Sequence, residues 1–63
     1  MKSDLIDLTV IVHARTERAA LVSDAEDGER VWVPLSQCEI EMTGGRVGIL
    51  TAPEWLLTSK GLV

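Results

Sequence analysis

The chain carries one histidine, His13, and one cysteine, Cys38. A structural or catalytic metal centre needs three or four ligands, and one His with one Cys does not supply them. A Cys–His pair can make an activated nucleophile, but only with the two in contact and a third group orienting the base. No third group is recognisable, so Cys38 reads as a structural thiol. Glu39 and Glu41 sit two apart, which on a strand puts both carboxylates on one face. Paired carboxylates hydrolyse substrates only within a cleft, and 63 residues leave little room for one. Gly44-Gly45 is followed by Arg46 rather than by the helix and Lys-Ser/Thr that cradle phosphate. No catalytic residue, metal ligand or cofactor is assigned, and the expectation is a non-enzymatic protein.

Charge carries more information. Ten acids against six Lys and Arg give a net charge of −4. Residues 24–41 hold six of the acids, Asp24, Glu26, Asp27, Glu29, Glu39 and Glu41, and a single base, Arg30. A concentrated negative field repels nucleic acid and membrane and attracts basic partners. These six residues are the candidate partner-binding set. Arg15, Arg18 and Arg46 lie on predicted turns, where they would meet if those turns share one end of the sheet.

The elements that must position these groups follow from periodicity. Residues 5–14 alternate, with Ile6, Leu8, Val10, Val12 and Ala14 on one face and Asp7, Thr9 and His13 on the other. β-Branched residues dominate, which predicts a strand. Residues 15–18 turn the chain, and residues 19–23 form a second strand; a helix over 14–22 is the competing reading. Asp27-Gly28 between apolar runs predicts a hairpin, with glycine accepting positive φ. Further strands are predicted over 30–33, 38–42 and 47–50, with Pro34 stopping the third. Thr43 to Arg46 is a glycine turn. Thr51 and Glu54 have capping-box spacing, with Pro53 early in a helix over about 53–60. Gly61 suits a left-handed C-cap, with Leu62 folding back. Trp55, Leu56 or both would anchor this short helix.

The expected architecture is one domain over residues 1–63, mainly β. It is a five-stranded antiparallel meander, a curled sheet or small SH3-like or OB-like barrel, with one short C-terminal helix. An uncovered edge would invite a homodimer. Trp32 alternates with Val31 and Val33, so it packs under the helix or marks a contact surface; packing under the helix is the favoured expectation. Without Phe or Tyr, the chain lacks the stacking aromatics of single-strand binders. Asp4 and Asp7 interrupt the first apolar residues, and no run is long enough to span a membrane. A lone cysteine forms no internal disulfide. These features suggest a cytoplasmic protein.

Three segments carry a resemblance: Thr16 to Val22, Gly28 to Gln37 with its Val31-Trp32-Val33-Pro34-Leu35-Ser36-Gln37 stretch, and Pro53 to Leu62. Together they resemble a group of small proteins encoded by phages and mobile elements. That group carries Val-Trp-Leu-Pro-x-Ser-Gln and ends in a Trp-Leu-x-x-x-Lys-Gly-Leu helix. Val33 and Cys38 depart from its pattern mildly, and Leu57-Thr58-Ser59 is less charged than its usual helix. The chain is also similar in size and charge to small acidic anti-CRISPR proteins. The resemblance implies a bacterial host and an acidic inhibitor of a host defence nucleoprotein complex. The partner would be a basic nucleic-acid-binding complex, and the acids would stand in for DNA phosphates. The alternative is an accessory module of phage DNA replication or recombination, binding single-stranded nucleic acid or a replication enzyme through Trp32 and the turn arginines.

Overall fold

The computed structural model describes residues 4–62. Five strands, β1 (Leu5–Arg15), β2 (Ala19–Ser23), β3 (Val31–Pro34), β4 (Glu39–Gly44) and β5 (Val47–Pro53), precede one helix, α1 (Glu54–Ser59). All pairings are antiparallel, in the order β3-β2-β1-β5-β4. Five antiparallel strands in one sheet are as expected, but the order is not that of a meander: β3 and β4 are not neighbours, and β5 folds back beside β1. The long β1 makes that possible. Its residues Leu5–Ile11 pair with β5, while Ile11–Arg15 pair with β2. The register slips between Val12 and Ala14, leaving His13 as a bulge that bends and twists the strand between its two partners. Ala14, expected on the buried face, is therefore exposed.

β3 and β4 are the two edges, yet four residues join them. A flat sheet would hold the edges ~19 Å apart, about four strand spacings. The five chain steps from Pro34 to Glu39 reach at most ~18 Å. Two donors tighten the link further: the Gln37 N–H and the Cys38 thiol both reach the Pro34 carbonyl at 3.1 Å. The sheet must therefore curl, and it stays open because β3 and β4 are not hydrogen-bonded to each other.

The concave side holds the core. Val10, Val12, Ala20, Val22, Val33, Leu50 and Ala52 come from the sheet, Cys38 from the link, and Leu56, Leu57 and Leu62 from the C-terminal end. On β5 the buried residues are Gly48, Leu50 and Ala52, while Val47 and Ile49 share the opposite face. Gly48 sits in tight quarters: a Cβ there would come within 3.2 Å of Ile40, Glu41 and Met42 atoms, which would have to give way by a few tenths of an ångström.

Helix α1 departs from expectation at its start. The N-cap is Pro53, in extended conformation, with no side-chain cap. The Thr51 hydroxyl instead donates to Asp7 Oδ1 across the sheet at 2.6 Å, so no capping box forms. The Glu54 N–H finds the Asp4 carbonyl at 2.9 Å. Trp55 is 58% exposed and does not anchor the helix; Leu56 and Leu57 do. The end is as expected. Gly61 has φ +76°, the Leu62 N–H reaches the Leu57 carbonyl at 2.9 Å, and Gly61 N–H reaches Thr58 at 3.1 Å. This is the Schellman pair of bonds, and Leu62 is buried with it.

Candidate acidic interface

Four of the candidate acids, Asp24, Glu26, Asp27 and Glu29, lie in the loop between β2 and β3, and all are exposed. The loop is built on Ser23, which is fully buried. The Ser23 hydroxyl donates to the Ala25 carbonyl at 2.6 Å, and the Gly28 N–H reaches the same oxygen at 3.0 Å. Gly28 does not adopt positive φ, contrary to the hairpin reasoning. A Cβ there would meet Ala25 backbone atoms at 3.3 Å and would push aside the exposed Asp24 carboxylate, whose Oδ1 would lie 2.5 Å away. The loop is thus wound tightly enough to turn its carboxylates outward.

His13 supports the loop from below. Its Nε2 lies 2.7 Å from the Ser23 oxygen. Ser23 has one hydroxyl proton and gives it to Ala25, so Nε2 carries the imidazole proton and donates. Nδ1 is buried without a hydrogen-bond partner. Burial lowers the His13 pKa below its ordinary value, the Arg30 and Arg46 charges lower it further, and Glu26 opposes them.

Glu39 and Glu41 are both exposed on β4, as alternation requires. Their register partners on β5 are Thr51 and Ile49, which in turn face Asp7 and Thr9 on β1. Asp7, Thr51 and Glu39 therefore form one row on the convex face. Asp7 was not among the candidate acids. Its outward position was readable from alternation with Ile6 and Leu8, but its row with Glu39 depends on two non-local strand pairings.

The six candidate acids form two groups. Arg46, in the β4–β5 turn, pairs with Glu26 at 2.6 Å, an exposed ion pair. The loop thus meets the turn end of β4. Glu39 lies at the far end of that strand, five residues or ~17 Å from Gly44. The three arginines do not gather at one place, although Arg15 closes β1 and Arg18 lies in the adjoining β1–β2 turn. Arg46 is at the Glu26 end, while the Arg18 carbonyl bonds Leu35 N–H at 2.8 Å, at the other end of β2 and β3. Trp32 is 46% exposed on β3, on the face opposite buried Val33, whereas the helix leucines Leu56 and Leu57 join Val33 in the core, so Trp32 does not lie under the helix. It shares its face with its register partner Leu21.

Cys38 and His13 commit their polar atoms to different neighbours, Pro34 and Ser23. Burial raises the Cys38 pKa and keeps the thiol neutral. Among the described residues, no group of three or more His, Cys, Asp or Glu could hold a metal ion, and no helix is long and apolar enough to cross a membrane. The surface offers shallow grooves, one of them beside β4, where Glu39, Ile40 and Glu41 share the lining with Arg15, Leu35 and Cys38. No protein-family model, curated protein or solved structure matches the chain.

Proposed function

We propose that this chain is a non-enzymatic interaction protein whose carboxylates occupy the basic, nucleic-acid-holding surface of a partner. One observation carries the reading. All six carboxylates of residues 24–41 are exposed, and among the described residues only Glu26 is engaged in an ion pair. Unpaired surface carboxylates keep their full field available to a basic partner and steer its encounter. On β4 the Glu39 and Glu41 Cα atoms stand about 6–7 Å apart, a repeat that lets successive carboxylates replace phosphates. In its fuller form the reading makes the protein an inhibitor of a host defence nucleoprotein complex, as the phage resemblance implies. The accessory reading has less support, because Arg46 is tied to Glu26 and lies apart from Arg18.

The test is affinity capture from a nuclease-treated bacterial lysate, followed by elution with duplex DNA. The expected result is a basic nucleic-acid-binding complex that DNA releases, with no oligonucleotide bound by the protein itself. Direct oligonucleotide binding, or capture indifferent to DNA, would overturn the proposal.

A further inference from the structure

We infer that the free edge of β4 takes up an extended, basic segment of a partner protein as an added strand. The two edges of the sheet are unequal. β3 is four residues long and ends on Pro34, which has no N–H and whose carbonyl already accepts from Gln37 and Cys38. β4 is longer and contains no proline. Among the described residues, no backbone hydrogen bond reaches it from the side away from β5. Alternate residues of β4 must direct their N–H and C=O groups away from β5, and such an edge is a template for another strand. Its regular stretch is Glu39–Met42, before the register shift at Thr43.

Charge selects the occupant. A second copy of β4, laid antiparallel with matching faces, would set Glu39 against Glu41 or Glu41 against itself. Like charges directly opposite destabilise a pair. A segment with Lys or Arg at alternate positions would instead set its cations opposite Glu39 and Glu41. Its intervening residues would face the same side as half-buried Ile40 and exposed Met42. Ile40 and Met42 offer those residues an apolar surface, so apolar residues suit these positions. The occupant is therefore an extended segment alternating basic and apolar residues. The inference rests on the proposed basic partner and specifies how that partner is held.

The probe is a blocked Lys-Val-Lys-Val-Lys peptide titrated into the isotope-labelled protein, with backbone amide shifts followed by NMR. Saturable shifts are expected at residues 39–42. A Glu-Val-Glu-Val-Glu peptide is expected to give none, and the Glu39→Gln/Glu41→Gln protein to bind the Lys peptide roughly tenfold more weakly. Two N-methylated peptides separate strand addition from simple charge attraction. Methylating the valine amides blocks one edge of the peptide, and methylating the lysine amides blocks the other. One variant should lose binding and the other retain it. Equal binding by both, shifts confined to residues 24–29, or dimerisation of the free protein through β4 would overturn the inference. If the peptide fails while DNA-releasable capture persists, strand addition falls and the proposed function stands.

Discussion

One proton sets the state of His13. The Ser23 hydroxyl proton is spent on Ala25, so the imidazole donates through Nε2 and leaves Nδ1 buried and bare. A second proton would have to enter at Nδ1, with Arg30 and Arg46 opposing it and Glu26 favouring it. The folded-state pKa therefore lies below the unfolded value of about 6.5. Between those two values the unfolded chain binds more protons than the native one, so stability rises with pH. The His13 contribution is complete above about pH 6.5 and is lost as pH falls toward the folded-state pKa. Thermal melts at pH 7.5 and 5.5 should show a lower Tm at pH 5.5, and His13→Gln should shrink that difference. An unchanged difference would show that His13 does not titrate in this way. The sequence showed a lone polar histidine on a strand. It did not show the bulge at His13, because that depends on how β2 aligns with β1.

The helix shows which local signals can be trusted. Lys60-Gly61-Leu62 was legible because a Schellman end is written within six residues. Thr51 and Glu54 had equally good capping spacing, but Thr51 lies on β5 directly opposite Asp7 and bonds to it. A competing partner 44 positions away cannot be seen in a local pattern. The same holds for the tryptophans. Size and apolarity favoured burial of Trp55, yet the docking face of α1 is Leu56 and Leu57. A helix this short derives its stability from docking. Leu57→Ala should therefore cost about 2–5 kcal/mol, and Trp55→Ala should stay within about 0.5 kcal/mol. Urea unfolding of the two variants measures both. A larger loss for Trp55→Ala would mean that the indole is an anchor after all.

Over the whole molecule, alternation located the five strands, and the turn residues located the breaks between them. Strand order was not legible, because pairing β1 with β5 depends on contacts from 36 positions (Ile11–Val47) to 48 positions (Leu5–Pro53) apart. That same pairing sets the charge map: it brings Asp7 into line with Glu39, while the Arg46–Glu26 contact puts the loop acids at the opposite end of β4. Acidity was evident from composition, but its division into a loop group and a strand group was not. The claim that joins these scales is that exposed carboxylates bind a basic partner. The most direct test uses a variant with Asp24→Asn, Glu26→Gln, Asp27→Asn, Glu29→Gln, Glu39→Gln and Glu41→Gln, with its fold checked by circular dichroism. The measurement is its recovery of the DNA-releasable complex beside the unaltered protein. Recovery should fall to background; full recovery by the folded, neutralised variant would contradict the account.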